Sequence, residues 1–384
     1  MKIGLVCPYN LWGGGGVQEL VLALRSELSS RGHDVKIITP LPSAYKGKIK
    51  IEPYVLTAGM SANVKAFSNT QTQFSASTDG EEIQEMLDKE KFDVLHIHEP
   101  SIPIVNRQIL VRSTSANVAT CHAHIPDRIT SKAIINMFGS YTRGLTKYIH
   151  AYSAVSGPAS EYIRNFTNEE IHIIPNGIDL AKYQTAKAGK KPANLKTILY
   201  VGRLEKRKGV KYLLKAFKQL AEKDKNVELV IAGDGPLRAR LEEWVKLNRV
   251  HRVRFLGFVE EKKKLELLKS ADIFCSPAIY GESFGIVLLE SMAVNLPIVA
   301  GDNPGYASVM QGKGAESLVD SLNINEFVKK LDMFLYDTAK RQEWQKWSQD
   351  YVKQFDYQNV VDEYEKFYKL GLKEKHENSA SSGR

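Results

Sequence analysis

The chain has 384 residues, which exceeds a single ordinary core and indicates two domains. Its 43% hydrophobic and 25% charged residues are typical of a globular protein and exclude a disordered or membrane-spanning chain. The 53 Lys and Arg residues exceed the 44 Asp and Glu residues, which favours an anionic partner such as a nucleotide, nucleic acid or membrane face, although a merely lysine-rich surface explains it equally.

The N-terminus and the cysteines bear on localisation and metal binding. The apolar run after Met1 stops at Pro8, which is too short for a signal-peptide core or a spanning helix. We therefore expect a cytoplasmic protein, and peripheral contact with the inner membrane face stays open. Cys7, Cys121 and Cys275 lack metal-ligand spacing, so we expect reduced thiols and no metal site.

The first segment has the pattern of a β-α-β unit. Residues 3–6 form a short apolar run that predicts a strand, and the four glycines at 13–16 follow as a loop. Apolar residues then recur at helical spacing: Val17, Leu20, Val21, Leu24 and Leu28. A second apolar run at 35–38 completes the unit, whose two strands should be parallel.

Short apolar runs continue along the chain and predict further strands. The first series lies at 94–97, 118–120, 151–154 and 171–174. The second series lies at 197–201, 227–232, 253–258, 272–275 and 298–300, with amphipathic helices at 210–222 and 236–247. This alternation predicts an α/β fold with doubly wound parallel sheets.

The polar stretch at 184–195 separates the two series and predicts the domain linker. We expect a first domain at 1–185 and a second at 195–355. A last apolar helix at about 356–372 should pack back on the first domain. The polar residues at 373–384 predict a disordered tail.

Loops at the carboxyl ends of parallel strands are expected to carry ligand sites in both halves. The glycines at 13–16 would let the backbone approach a phosphate, although they also suit a plain flexible turn. In the second half, Arg203 and Lys208 follow a strand, where two cations could neutralise a diphosphate leaving group. An exposed basic loop is the alternative.

The segment 281–290 is the most specific feature of the sequence. It is a turn that runs into an apolar helix, with Glu282 before the helix and Glu290 inside it. The backbone N–H groups of 283–286 would face a phosphate, and the two carboxylates would accept hydrogen bonds from sugar hydroxyls. Helix capping could explain Glu282 but not Glu290, which needs a partner in so apolar a run.

Taken together, these residues resemble the family-four retaining glycosyltransferases of the GT-B fold. The stretches at 175–179, 255–257 and 276–277 extend the resemblance over most of the chain. It implies two Rossmann-like domains that face each other across a cleft, with the first binding the acceptor and the second the nucleotide sugar.

The resemblance also implies roles for individual residues. Glu282 would bind the transferred sugar, Glu290 the ribose, and Arg203 and Lys208 the diphosphate. Further donor contacts would come from Gly15, Gly16, Phe258, Val259, Lys264, Ser283, Phe284, Gly285 and Ile286. Of these, Gly16 would approach the diphosphate, and Phe258, Val259 and Lys264 the nucleobase.

Within the family the chain most resembles phosphatidylinositol mannosyltransferases, through the stretches 7–9, 15–18, 92–100 and 118–122. This implies that His122 is the active-site histidine and contacts the donor sugar, and that Tyr9, Gln18 and His122 bind the acceptor. His96 and His98 alternate with Ile97, and we interpret each as a structural histidine with satisfied hydrogen bonds.

Two stretches differ from that group. Residues 81–91 carry five acids against two bases where the family has a basic lipid-binding helix, and no lysine follows His122 at 123–127. A second group of basic and apolar residues could form the contact surface for the lipid instead, although a solvated helix would explain the same residues. They are Arg128, Lys132, Ile134, Ile135, Met137, Phe138, Arg143 and Lys147.

The resemblance implies transfer of a hexose, expected to be mannose from GDP-mannose, to a hydroxyl of a lipid-linked acceptor such as phosphatidylinositol, with retention of configuration. His122, Glu282, Arg203 and Lys208 would be catalytic, without metal or other cofactor. Alternatives are a UDP-sugar-dependent transferase acting on another glycolipid or polysaccharide, and a GT-B epimerase. The sequence does not contain the spaced Gly-x-Gly-x-x-Gly pattern of a dinucleotide-binding oxidoreductase. It also contains no recognised nucleic-acid-binding motif.

Overall fold

A computed structural model of the protein describes residues 1–42, 49–65, 71–77, 79–124, 139–189, 191 and 194–382. The chain forms two compact units. The first comprises Met1–Gly177 together with Tyr357–Arg384, and the second comprises Ile178–Asp356. The division therefore precedes the predicted linker at 184–195. Residues 178–185, expected in the first domain, belong to the second unit because their helix buries Leu180 and Tyr183 there.

The first unit is built on an eight-stranded sheet with the order β4-β3-β2-β1-β5-β6-β7-β8. The strands are β1 (Lys2–Val6), β2 (Asp34–Leu41), β3 (Val55–Lys65), β4 (Gln71–Ser77), β5 (Val94–His98), β6 (Ala116–Cys121), β7 (Ala151–Ala154) and β8 (Ile171–Ile173). Every neighbouring pair is parallel except β3 and β4, which are antiparallel. The chain order reverses between β1 and β5, where open α/β sheets bind ligands.

Helices cover this sheet: α1 (Gly16–Ser30), α2 (Gly80–Glu90), α3 (Val105–Leu110), α4 (Gly157–Ser160) and the C-terminal helix (Tyr357–Ser382). Residues 139–146 are also helical. The predicted apolar stripe of α1 is buried with residues of β1 and of the C-terminal helix in one hydrophobic core. Packing in this shared core places the C-terminal helix in the first unit, as the sequence predicted.

The C-terminal helix continues to Ser382, so the disorder predicted for 373–384 is wrong for residues 373–382. No proline or glycine interrupts the chain after Gly371 before Ser382, and the Lys and Glu residues there are good helix formers. Lys373 and Glu377 form an ion pair one turn apart at 3.6 Å. Lys375 Nζ also donates a hydrogen bond to the carbonyl oxygen of Thr114.

The second unit is built on a six-stranded parallel sheet with the order β11-β10-β9-β12-β13-β14. The strands are β9 (Lys196–Val201), β10 (Val227–Ala232), β11 (Val253–Gly257), β12 (Ile273–Ser276), β13 (Ile298–Gly301) and β14 (Leu318–Val319). The helices are α5 (Leu180–Thr185), α6 (Val210–Lys223), α7 (Arg238–Leu247), α8 (Glu261–Ser270), α9 (Ile286–Ala293), α10 (Pro304–Val309), α11 (Ile324–Tyr336) and α12 (Thr338–Tyr351).

This strand order is that of a Rossmann-like sheet, since successive strands run outward from β9 on one side and from β12 on the other. The loops that follow β9 and β12 therefore meet where the order reverses. The predicted fold of two doubly wound parallel sheets is confirmed. Among the helices in the described ranges, none has both the length and the apolar character needed to cross a bilayer.

Candidate active site

The loop after β9 is shaped by a glycine. A short 3-10 turn at Lys206–Lys208 ends at Gly209, whose φ is 70°. A Cβ atom at Gly209 would lie 2.0 Å from the carbonyl oxygen of Pro277, so only glycine lets this loop pack against the loop after β12. The close approach brings the basic residues of the first loop to Glu282 on the second.

Glu282 is buried and is held by two cations. Its Oε1 atom lies 2.6 Å from Nη1 of Arg207 and 2.8 Å from Nζ of Lys208. Arg207 also donates to the carbonyl oxygen of Gly281 at 3.2 Å. Burial lowers the pKa of Arg207, but Glu282 and Glu205 more than offset this and leave that pKa raised. Arg207 is therefore a charged partner for this buried carboxyl group, as burial of such a group requires.

Glu205 extends this set of charges. Its carboxylate is buried, with Nε of Arg207 at 3.1 Å from Oε2 and Nε of Arg203 at 2.8 Å from Oε1. The side chain of Arg203 is 48% exposed, so one face of its guanidinium stays available to a ligand. We call the set Arg203, Glu205, Arg207, Lys208 and Glu282 the acid–cation cluster. Its three cations and two acids leave a net charge of +1.

Glu290 lies on α9 and is buried with its own partners. Its Oε1 atom accepts a hydrogen bond from the hydroxyl of Tyr183 at 2.9 Å and from Nζ of Lys264 at 2.7 Å. Lys264 also lies 2.8 Å from Glu261. Burial lowers the pKa of Lys264, but Glu290 and Glu261 outweigh that effect and raise it. The predicted need of Glu290 for a partner is thus met, by a lysine expected at the nucleobase and by a tyrosine.

The start of α9 is defined by Gly285, with a φ of 111°. A Cβ atom there would lie 2.7 Å from the ring of Tyr306, so the turn requires glycine. Phe284 is buried with its ring 6.0 Å from that of Phe355, so only its backbone is available for the expected donor contact. Ser283 and Ile286 are half-buried at the same turn.

After β11, the chain presents a different kind of surface. Phe258 is 82% exposed, the largest exposed fraction among the large hydrophobic residues of the described chain. Val259 beside it is half-buried. An exposed aromatic ring at a carboxyl strand end suits stacking with a planar ligand.

Two buried tyrosines lie beneath the acid–cation cluster. The hydroxyl of Tyr200 donates to the carbonyl oxygen of Arg203 at 2.9 Å, and that of Tyr306 lies 2.7 Å from Oγ of Ser276. Burial, together with the charge of Glu282, raises the pKa of both phenols well above their usual range. Both therefore stay neutral and brace the loops.

In the first unit, the glycine loop leads into α1. Gly14 and Gly15 have φ values of 67° and 138°, and α1 begins at Gly16. Gln18 folds back on the loop, and its Nε2 atom donates to the carbonyl oxygen of Asn10 at 3.3 Å. A Cβ atom at Gly15 would lie 2.7 Å from Oε1 of Gln18. The loop thus exposes backbone at the end of β1.

Tyr9 follows β1 and is half-buried. Its carbonyl oxygen accepts a hydrogen bond from Oγ1 of Thr39 at 2.8 Å, which ties the segment to β2. Burial, with the nearby carboxylate of Glu99, raises the pKa of the Tyr9 phenol. The phenol is therefore a neutral hydrogen-bonding group.

His122 follows β6 and is 9% exposed. Its backbone N–H donates to Oε1 of Glu99 at 2.8 Å, and its Nε2 atom lies 2.9 Å from Nδ1 of His98. Burial lowers the pKa of His122 to about 3, so the ring is neutral near pH 7. Burial raises the pKa of Glu99 to about 7, even though the N–H groups of His122 and Ala123 act in the opposite direction.

His96 and His98 differ, although both lie on β5. The ring nitrogens of His96 lie 2.9 Å from the hydroxyl of Tyr368 and 2.6 Å from Oγ1 of Thr120, so it is a satisfied structural histidine. The same expectation fails for His98. Its Nδ1 atom faces His122, and its buried Nε2 atom has no partner among the described residues.

The comparisons with known proteins decide the family. Residues 14–182 match the family described as Glycosyltransferase Family 4, and residues 182–350 match that described as Glycosyl transferases group 1. The chain belongs to these glycosyltransferases.

Relatives and solved structures agree with this assignment. The glycosyltransferase is 32% identical over 322 residues to the phosphatidyl-myo-inositol mannosyltransferase of Mycolicibacterium smegmatis, covering 83% of this chain and 81% of that protein. A glycosyltransferase structure from Rickettsia africae aligns with a TM-score of 0.75 at 18% identity, over 97% of this chain and 98% of that one. Anabaena HepE in complex with UDP aligns with a TM-score of 0.70 at 18% identity, over 95% and 99%. The GT-B fold predicted from the sequence is confirmed.

Some of the expected contact surface of this glycosyltransferase lies outside the described residues: Arg128, Lys132, Ile134, Ile135, Met137 and Phe138. Arg143 and Lys147 are exposed, as expected for a solvated helix. In the acidic helix α2, Glu90 is buried and pairs with Lys2 and Lys36 at 2.8 and 2.6 Å, so this acid is structural. Within the described ranges, no group of three or more His, Cys, Asp or Glu residues could hold a metal ion.

No site role was predicted from the sequence for four residues that contact expected site residues. Arg207, Glu205 and Tyr183 do so in the second unit, and His98, interpreted as structural, does so in the first. Arg207 lies between two lysines and looked like part of an exposed basic loop. A signal for Glu205 was available, since an acid among four basic residues at 203–208 suggests ion pairing. Tyr183 is 107 positions from Glu290, and no local pattern links them.

Proposed function

We propose that this glycosyltransferase transfers mannose from GDP-mannose to a hydroxyl group of a phosphatidylinositol-type lipid, with retention of the anomeric configuration. The acid–cation cluster carries the proposal. Lys208 and Glu282 share one ion pair at the reversal point of the second sheet, so groups suited to a diphosphate and to a sugar lie side by side.

The donor would be held by charge complementarity. Its diphosphate carries two negative charges, and Arg203 and Lys208 would neutralise them. Glu282 would then accept hydrogen bonds from the sugar hydroxyls. Glu290, held by Tyr183 and Lys264, would accept hydrogen bonds from the ribose hydroxyls. The exposed ring of Phe258 lies on the loop after β11, where it would cover the nucleobase.

The reaction would proceed by charge stabilisation. As the bond between the anomeric carbon and the diphosphate oxygen breaks, negative charge grows on the leaving phosphate, and Lys208 and Arg203 stabilise it. The acceptor hydroxyl forms the new bond on the same face of the sugar, and its proton passes to the leaving phosphate. The two side-chain cations take the place of a divalent metal, so we propose that no metal is needed.

The acceptor assignment rests on the first unit and on relatives. Tyr9, Gln18 and His122 follow β1 or β6 at the carboxyl edge of the first sheet, where they would contact the acceptor. The relative from Mycolicibacterium smegmatis is named for mannose transfer to phosphatidyl-myo-inositol. A lipid acceptor would bring the protein to the cytoplasmic membrane face as a peripheral enzyme.

A transfer assay tests the proposal. The full-length protein is incubated with vesicles that contain phosphatidylinositol and with GDP-mannose, UDP-glucose or ADP-glucose, with and without EDTA. Mass spectrometry detects the glycolipid, and NMR of the anomeric proton gives its configuration. We expect an α-mannolipid from GDP-mannose, unaffected by EDTA and abolished by Glu282→Gln.

The matched control is Glu228→Gln. Glu228 is also a buried acid of the second unit, but it pairs with Arg254 near the start of β10, at the opposite edge of the sheet from the site. This variant should keep full activity. Product formed only from a UDP-sugar, or only on a lipid other than phosphatidylinositol, would overturn the stated donor or acceptor.

A further inference from the structure

The ring of His122 has a buried neighbour that no expected role explains. Nδ1 of His98 lies 2.9 Å from Nε2 of His122, and the two rings stack with centroids 5.1 Å apart and an angle of 28° between their planes. The distance is that of a hydrogen bond between two imidazoles. His98 is therefore in direct contact with the histidine expected at the donor sugar.

Two N–H groups cannot point at each other, so one of the facing nitrogens donates and the other accepts. Burial holds the pKa of His98 well below its usual range and that of His122 at about 3, so both rings are neutral and each carries one hydrogen. The hydrogen bond therefore fixes both tautomers at once.

The far side of His98 decides the direction. Its Nε2 atom is buried and has no partner in the described part of the chain. If Nδ1 accepted the hydrogen bond, the hydrogen of His98 would lie on Nε2 as a buried donor without an acceptor. If Nδ1 donates, Nε2 keeps only a lone pair. Unpaired buried donors are rarer in proteins than unpaired acceptors, so donation by Nδ1 is favoured.

We propose that His98 is a positioning residue, which donates its Nδ1–H to Nε2 of His122 and holds His122 as the tautomer with hydrogen on Nδ1. The proposal rests on the proposed role of His122 at the reacting sugar. In this tautomer His122 has one N–H donor left, at Nδ1, which can donate to a sugar hydroxyl. The other tautomer would offer only a lone pair there.

The neighbouring groups support a fixed ring. Glu99 accepts the backbone N–H of His122 at 2.8 Å, so the main chain of His122 is held by the residue that directly follows His98. The ring of His96 contacts that of His98 with centroids 4.1 Å apart and planes tilted by 35°, and His96 is itself hydrogen-bonded to Tyr368 and Thr120. The contact with His96 thus restrains the ring of His98, so that its Nδ1 atom stays directed at His122.

Nitrogen-15 NMR of the full-length protein tests the tautomer without any substrate. The two ring nitrogens of a neutral histidine have distinct shifts, and the protonated one correlates with its hydrogen. We expect the His122 ring, assigned by its loss in His122→Ala, to carry hydrogen on Nδ1. A hydrogen on Nε2 of His122 would overturn the proposal.

Kinetics of two variants test the positioning. His98→Leu removes the hydrogen bond, and we expect kcat to fall about tenfold while KM for GDP-mannose changes less than about twofold. His98→Asn places an amide near the position of Nδ1, and we expect it to recover most of the lost kcat. A folded His98→Leu protein with wild-type kcat would overturn the proposal. If that variant fails to fold, the Asn variant and the wild-type spectrum still decide.

Separate outcomes distinguish the proposed transfer activity from the proposed roles of His122 and His98. If no nucleotide sugar supports transfer, the proposed function fails, but the spectrum of the free protein still reports the tautomer. If transfer occurs and His122→Ala keeps full activity, the role of His122 is wrong. If His122 is essential and its hydrogen lies on Nε2, the role of His98 alone is wrong.

Discussion

Nζ of Lys208 lies 2.8 Å from Oε1 of Glu282, and the same oxygen accepts a hydrogen bond from Arg207 at 2.6 Å. The cation expected for the diphosphate is thus paired with the acid expected for the sugar. In the proposed complex, Lys208 would turn toward the phosphate while Arg207 continues to neutralise Glu282. Because Glu282 has two cationic partners, one of them could interact with a bound diphosphate while the buried carboxylate keeps the other.

Replacing Lys208 by Ala should lower turnover far more than stability. We expect kcat to fall by about 100- to 1,000-fold, because the cation proposed to stabilise the leaving phosphate is lost. The midpoint of thermal unfolding should change little, since Arg207 still pairs with Glu282. Initial-rate kinetics and a thermal melt measure both. Lys313→Ala, which breaks a pair with Glu343 away from the cluster, is the control and should keep its rate.

Tyr183→Phe should weaken donor binding. The phenol donates to Oε1 of Glu290 at 2.9 Å, and its loss frees the carboxylate to rotate away from the position expected for the ribose. One neutral hydrogen bond to a charged group corresponds to a rise in the Kd for GDP-mannose of roughly tenfold. Tyr336→Phe removes a hydroxyl that pairs with Asp224 and serves as the control. Equal Kd values in the two variants would argue against the role of Tyr183.

Arg207→Ala should destabilise the second unit. It leaves Glu205 and Glu282 buried, with one cation fewer for each. Breaking such a pair costs about 3 kcal/mol, which lowers the unfolding midpoint of a unit of this size by roughly 5 to 10 °C. Differential scanning calorimetry measures this. Lys263→Ala, which breaks the more exposed pair with Glu266, should shift the midpoint by no more than about a degree or two, and a similar shift for both variants would refute the distinction.

Glu99→Gln should change how stability depends on pH. Burial raises the pKa of Glu99 from 4.5 to about 7 in the folded state, so the folded protein holds this proton more tightly than the unfolded chain. The contribution is present below about pH 4.5 and is lost as pH rises to about 7, by about 3 kcal/mol at most.

The difference between the two proteins isolates this effect. Between about pH 4.5 and 7, we expect the melting midpoint of wild type to fall relative to that of Glu99→Gln. Above about pH 7, the difference between the two midpoints should stay constant. The buried histidines His96 and His122 titrate with the opposite sign, but they are present in both proteins and cancel. A gap that does not vary with pH would mean that the pKa of Glu99 is not raised.

Much of the fold follows from local sequence patterns. The apolar runs that predicted β1, β2 and the strands from β5 to β13 all form strands of the two sheets. Most of these strands are buried, because parallel sheets covered on both faces need continuous hydrophobic residues, whereas β8 and β11 are partly exposed. The antiparallel strand β4 was not predicted, because the mostly polar residues at 71–77 do not form an apolar run. The first boundary of the second unit was also missed, because the burial of Leu180 and Tyr183 depends on contacts distant in sequence.

The site was predictable where one residue broke a local pattern. Glu290 stood out because an acid in an apolar helix requires a partner. Arg207 did not, because residues 206–208 are all basic and only the 3-10 turn decides which of them reach Glu282. His98 could be placed on the same face as His96 from the strand period, but its contact with His122 depends on the register between β5 and β6.

Isothermal titration calorimetry of GDP-mannose into wild type, Glu290→Gln and Glu228→Gln tests the central claim that the second unit binds a nucleotide sugar through its buried acids and cations. We predict measurable binding by wild type, a Kd at least about tenfold higher for Glu290→Gln, and an unchanged Kd for Glu228→Gln. Failure of wild type to bind any nucleotide sugar, or the same Kd in all three proteins, would contradict the account.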